Sequence, residues 1–196
     1  MTEPALAPED EMRAALYGLI ARLFYAAPDQ IVLGQIVNAN LFDDAESAAG
    51  RAWRDLVGAS RNAFPVVPEN EHTVLFVGTG KSEVTPYLAR YVMKFATDNP
   101  LVELRQQLAR WGLGRRADVG EPEDHIAAVC EAMRFAIAVQ HRPDEEQKEF
   151  FERFLYPGAI PFCDAVSTSP KAPFYALVAR FARAFFDIER EAFAML

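Results

Sequence analysis

Apolar side chains recur at intervals of three and four along almost the whole chain, and this period constrains the fold more than any other feature. Met12, Leu16, Leu19, Ile20, Leu23 and Phe24 trace one helical face from Pro8-Glu9-Asp10-Glu11 up to Pro28. Proline in a first turn gives up only an N–H that has no helical partner, and acids there meet the positive end of the helix dipole. Ala49, Trp53, Leu56 and Val57 repeat the pattern behind Asp43 and Glu46, which have capping-box spacing. Asn99-Pro100 reads as the cap and first position of a helix ending near Gly112 or Gly114. Glu121-Pro122 opens another, with Ile126, Val129, Cys130, Met133 and Ile137 on its stripe. Asp144 to Tyr156 carries Phe150, Phe151, Phe154 and Leu155. A last helix, from Ala172 to Ala194, carries Phe174, Leu177, Val178, Phe181, Phe185 and Ile188.

Such stripes pack helix on helix, so the expected fold is all-α: a single globular helical bundle over 1–196, of about six to nine helices with almost no strand. Three glycines break the period at 111–120 and suggest a hinge between lobes 1–111 and 121–196. With 196 residues and 51% hydrophobic content the chain needs no staple to hold a core. Its 28 acids against 20 bases give a net charge of −8, which excludes phosphate-driven nucleic-acid binding. No 18-residue apolar run is present, so no stable membrane insertion is expected. The acidic, proline-broken start is unlike a cleaved leader, and the only cysteines are Cys130 and Cys163. A reduced, cytoplasmic protein is the expectation.

Thr73-Val74-Leu75-Phe76-Val77 followed by Gly78-Thr79-Gly80-Lys81-Ser82 suggests a P-loop. The motif needs glycine where Leu75 stands, and Pro86 would disrupt the helix that must follow. The simpler expectation is an apolar helix end and a solvated glycine loop; a nucleotide site at Gly78–Ser82 stays as the alternative. Gly-x-Ser-x-Gly, Cys-x-x-Cys and Rossmann patterns are lacking, so no catalysis, metal or cofactor is expected. Cys130 falls on an apolar stripe and reads as core.

Two polar clusters remain. Glu121-Pro122-Glu123-Asp124-His125 heads a helix that also carries Glu131, and reads either as acids favoured by the dipole or as a site. Tyr87 and Tyr91, in Pro86-Tyr87-Leu88-Ala89-Arg90-Tyr91, are four apart and would share a helical face, as core-boundary residues or as an aromatic wall.

Taken in order, these segments resemble the TorD/DmsD/NarJ family of molybdoenzyme maturation chaperones. Leu23-Phe24-Tyr25 is similar to the end of the family's first helix, and Leu75-Phe76-Val77-Gly78 to its Leu-Phe-x-Gly segment. Pro86-Tyr87-x-x-x-Tyr91 is similar to its Pro-x-x-Ser-x-Tyr segment, and Glu121-Pro122-Glu123-Asp124-His125-Ile126 to its Pro-Asp-His signature. Phe174-Tyr175 and the final helix extend the likeness over nearly the whole chain. Ala89 departs from the family's serine, and Arg153 and Gly158 stand where a histidine and a tryptophan are common.

The resemblance implies a TorD-like helical fold and a non-enzymatic chaperone, monomer or dimer. It would bind the N-terminal twin-arginine signal peptide of a molybdopterin-dependent oxidoreductase catalytic subunit. The apo subunit would be held until its cofactor is inserted, before export. Carboxylates at Glu121, Glu123, Asp124 and Glu131 would meet the guanidinium pair. Leu75, Tyr87, Tyr91 and Ile126 would supply apolar wall, Pro86 and Pro122 would belong to the same binding set, and His125 would bond backbone or orient Asp124. A helical adaptor with no client peptide is the other reading.

Overall fold

The computed structural model describes the chain except residues 1–5, 43, 45, 64–65, 79–81, 96–97 and 116–119, and the side chains of 66–67. Asp43, Thr79–Lys81 and residues 116–119 of the expected hinge therefore lie outside the described residues. Within them the architecture is all-α, with no strand beyond one isolated bridge, Tyr87 to His125. The helices are α1 (Pro8–Tyr25), α2 (Gln30–Asn38), α3 (Ala48–Asn62), α4 (Val66–His72), α5 (Ala89–Val92), α6 (Pro100–Arg110), α7 (Ile126–Ala138), α8 (Asp144–Phe150), α9 (Tyr156–Thr168) and α10 (Tyr175–Ala194).

The apolar stripe of α1 lies along α7, the most extensive helix pair. Helix α10 packs on α9 and α3, and α2 packs on α3. Residues before and after 111–120 thus build one hydrophobic core, running from Ala14 to Phe193. Aromatic rings fill it. Phe24 of α1 meets Phe162 edge-on at 5.0 Å, and Tyr17 meets Phe185 at 4.9 Å. Each buried ring of this kind contributes about 1.5–3 kcal/mol. Cys130 and Cys163 are both fully buried, as expected for core thiols.

Two buried polar clamps cross this core. Arg13 of α1 donates to Glu189 of α10 through Nε (2.9 Å) and an NH2 group (3.0 Å), and to Gln147 of α8 (3.0 Å). Its remaining end meets Asp10 at 2.8 Å, and the Tyr17 hydroxyl donates to Glu189 at 2.8 Å. At the start of α10, the Glu71 carboxylate accepts the backbone N–H groups of Phe174 and Tyr175, at 2.9 and 3.1 Å. It satisfies two of the donors that every helix start leaves open.

Several boundaries differ from expectation for local reasons. Ser47 caps α3, accepting from the Gly50 N–H at 3.0 Å, four residues later than the capping-box spacing suggests. Thr73–Val77, by contrast, is the expected apolar helix end: it continues α4 as a single π turn, with Leu75 and Phe76 buried and Gly78 ending it at φ +60°. The expected helix at 144–156 widens into a second π turn at Phe151–Leu155 and then runs on to Thr168. Pro157 cannot donate to the carbonyl of Arg153, which makes a regular α register unavailable there. Gly158 follows for a different reason. A Cβ on it would lie 2.8 Å from Leu88 Cβ and 2.9 Å from Leu88 O, so glycine is what lets α9 lie against that segment.

Candidate functional site

The polar cluster at 121–125 does not begin a helix. Its backbone pairs with the stretch after the glycine loop: the Leu88 N–H donates to Asp124 O at 2.8 Å, and the Ile126 N–H to Pro86 O at 2.9 Å. Those bonds hold 121–125 as a turn and delay α7 to Ile126. His125 becomes the cap, its Nδ1 accepting the Ala127 N–H at 3.2 Å. With Nδ1 accepting, a neutral ring carries its proton on Nε2. Burial holds the imidazole down at about 4, against the opposing charge of Glu121, so it is neutral at pH 7.

Asp124 is buried beside it and accepts the Ala89 N–H at 3.2 Å. Burial raises its carboxyl above the ordinary aspartate value, against that bond. Asp124 and His125 are thus fasteners between two loops and the start of α7.

The tyrosine pair is not on one helical face. Only Tyr91 lies in α5; Tyr87 precedes it, in the bridge to His125. Tyr91 turns toward α9, its ring 6.2 Å from Phe162 and its hydroxyl donating to Thr85 O at 2.8 Å. Tyr87 turns the other way. Its hydroxyl donates to Glu121, and its ring meets His125 edge-on at 5.7 Å, while Tyr25 approaches His125 at 6.5 Å. Burial, reinforced by Glu121, pushes the Tyr87 hydroxyl up to about 12.

A cavity of about 520 Å³ opens between the C-terminal half of α1, the end of α6 and the first turns of α7. Ala21, Leu108, Leu113, Ala127, Ala132 and Phe135 give it an apolar floor. Charges of both signs stand around it: Arg22, Arg115, Glu121, Glu123 and Glu131. Tyr25, exposed at 60%, and His125 form one side. Five of the residues singled out in the sequence therefore meet at this cavity: Glu121, Pro122, Glu123, His125 and Glu131. Leu75, Pro86, Tyr87, Tyr91 and Asp124 are not among its lining; Leu75 is wholly buried in the core.

Sequence reasoning missed the opposite wall. Ala21, Arg22, Leu108, Leu113 and Phe135 belong to no motif, and nothing local marks them. Tyr25 carried a usable signal: Leu23 and Phe24 take the core face, so the next residue, 100° further round the helix, projects away from it.

The acids at the cavity differ in their partners. Glu123, whose side chain is 15% exposed, accepts from Arg105 Nε at 2.9 Å. Burial pushes its carboxyl up, but backbone bonding and the charges of Arg105 and Arg115 outweigh this and hold it below the usual range. Glu131 pairs with Arg134 at 2.7 Å on the exposed surface of α7. The stem of Arg134 crosses α1 over Gly18, where a Cβ would be only 2.9 Å from its Cδ. Glu121 meets the neutral Tyr87 hydroxyl.

Both thiols are buried and pushed far from ionising by that burial. Among the described residues no group of three or more His, Cys, Asp or Glu is placed to hold a metal ion. No helix among them is long and apolar enough to cross a membrane. An apolar floor with charges at its edge fits an extended or helical ligand that is charged at one point and apolar beyond it.

Known proteins share this architecture. The sequence model of the nitrate reductase delta subunit family matches residues 42–164. The chaperone protein TorD of Photobacterium profundum is 32% identical over 108 residues, 49% of this chain and 50% of that protein. TorD of Aliivibrio salmonicida is 26% identical over 125 residues, 58% of each. The matched stretch spans about half the length of these curated relatives, which are named as chaperones and not as enzymes. The crystal structure of a protein from Archaeoglobus fulgidus, described as a redox enzyme maturation protein, superposes with a TM-score of 0.54. That match covers 96% of this chain and 97% of the other at 17% identity, so it speaks for a shared fold.

Proposed function

The chain belongs to the nitrate reductase delta subunit family, that of the TorD/DmsD/NarJ chaperones, and on that premise we propose that it is a cytoplasmic maturation chaperone. Its client is the apo catalytic subunit of a molybdopterin-dependent oxidoreductase. It binds the N-terminal twin-arginine signal peptide of that subunit and holds the subunit until the cofactor is inserted, before export. The observation that carries this reading is the cavity at the start of α7, where an apolar floor meets three carboxylates at its edge. A twin-arginine peptide has the complementary order, two guanidinium groups and then an apolar stretch. Arginine forks suit carboxylates, and the apolar stretch gains about 25 cal/mol for each Å² it removes from water.

The binding residues in this reading are Glu121, Pro122, Glu123, His125 and Glu131, with Tyr25 and Phe135 added from the cavity. Leu75, Pro86, Tyr87, Tyr91 and Asp124 serve by holding that wall in place. Calorimetric titration with the N-terminal peptide of a molybdopterin oxidoreductase tests the function, and replacing both arginines with alanine should remove most of the heat. Ala128→Trp tests the placement, because it fills the cavity from an exposed position of α7. It should weaken binding by at least about tenfold, a 1.4 kcal/mol effect. Saturable binding that Ala128→Trp leaves unchanged would move the site elsewhere, and no saturable binding by the wild-type chain would end the chaperone reading.

A further inference from the structure

The acids at the cavity are not equivalent, and the difference lies in what already occupies them. Glu121 meets a phenol, and Glu131 meets Arg134 three residues along its own exposed helix face. Glu123 is the most enclosed of the three, with its side chain 15% exposed against 47% for Glu131. It is met by a guanidinium from a different element, Arg105 of α6, eighteen residues away in sequence. Arg105 is itself half exposed, at 47%.

We infer that Arg105 is a built-in competitor for the ligand: its guanidinium occupies Glu123, the carboxylate that reads the client's arginine, and a client arginine binds there by replacing it. This rests on the reading of the cavity as the signal-peptide site. The geometry supports exchange. Arg105 offers its Nε to one oxygen of Glu123, a single-point contact. A guanidinium arriving from the cavity is free to present its fork to both oxygens, which is the stronger arrangement. The displaced Arg105 swings into water from a position that is already half solvated, so little is lost on its side. Exchange of one guanidinium for another also keeps the net gain at this point small. A chaperone that must release its client is served by that, since the carboxylate never stands bare and the closing of the old pair helps the client leave.

The prediction is a gain of affinity on removing a charge that most surfaces would tolerate losing. The probe is a synthetic peptide carrying two adjacent arginines followed by an apolar stretch, titrated calorimetrically into the full chain. Arg105→Ala and Arg105→Gln should each tighten binding by about threefold to tenfold, the scale of a lost competing ion pair. Arg110→Ala, on the same helix and also exposed, removes the same unit of charge away from Glu123 and should change binding by less than about twofold. The gain at Arg105 should vanish with the peptide whose arginines are alanine, and with Glu123→Gln.

If the wild-type chain binds the peptide and both Arg105 variants bind equally or more weakly, Arg105 is no competitor and this inference falls alone. Equal tightening by Arg110→Ala would also overturn it, reducing the effect to general charge. If the wild-type chain does not bind the peptide, the signal-peptide reading itself falls and takes this inference with it, whatever the Arg105 variants do. Circular dichroism melting curves matching the wild type show that the variants are folded.

Discussion

The two halves of α1 each bring an arginine to a cluster of acids, and the clusters have opposite characters. Arg13 is enclosed. Its donors are shared among Asp10, Gln147 and both oxygens of Glu189, with the Tyr17 hydroxyl completing the set, and the space around them is filled by Phe193 and its neighbours. Two turns and more along the same helix, Arg22 and Tyr25 border a cavity of about 520 Å³, where Glu121 and Glu131 are exposed and each meets one side-chain partner. The same residue types hold the fold together at one end and border an open cavity at the other. What separates them is whether every donor is used and every gap filled, not how many charges are present.

Removing a charge at the enclosed end is the strongest way to break that comparison. Glu189→Ala leaves Arg13 buried without its main partner and should cost about 3–5 kcal/mol in urea unfolding. A loss below about 1 kcal/mol would show that the clamp is as loose as the cavity acids.

Acid sharpens the comparison next, because the cavity wall hangs on a neutral histidine. The folded protein depresses His125 from an ordinary 6.5 to about 4, so its contribution to stability is complete above pH 6.5. It is lost as pH falls from there through 4, by about 2–3 kcal/mol in all. His125→Asn keeps a capping side chain and does not titrate. His72, also depressed by burial, weakens both proteins in the same window, so the difference between their pH profiles isolates His125. Parallel profiles between pH 6.5 and 4 would mean that the imidazole is not held neutral by the fold.

The smallest effect belongs to the surface of α7. Glu131→Gln breaks a pair exposed on both sides and should change stability by no more than about 0.5 kcal/mol. A larger loss would place Glu131 among the fasteners and not among the cavity's exposed charges.

How much of this was legible in the sequence follows from the range of each interaction. The α1 stripe, the Asn99-Pro100 start of α6, the phenylalanine core and buried Cys130 rest on neighbours within one helix turn, and the sequence pattern shows them. The late start of α7 does not, because it depends on bonds from Leu88 and to Pro86, more than thirty residues away. For the same reason Tyr87 and Tyr91, which share a face on an ideal helix, part company: Tyr87 is drawn to the bridge before α5 begins. Thr73–Val77 has the composition of a strand, but among the described residues no strand lies beside it, and it continues α4 as a π turn. At the site, charged and kinked residues of one segment stood out, while the wall that faces them is built from alanines and leucines with no local mark.

Those alanines set a limit in one direction. Ala21, Ala127 and Ala132 form the floor with single methyl groups, and glycine apart, no residue is smaller. Nearly every substitution there makes the cavity shallower, by about one methylene step at a time. The floor is thus a gauge: its present setting is the deep end of the scale, and valine or leucine at these positions would make the cavity shallower while leaving the charges at its edge in place.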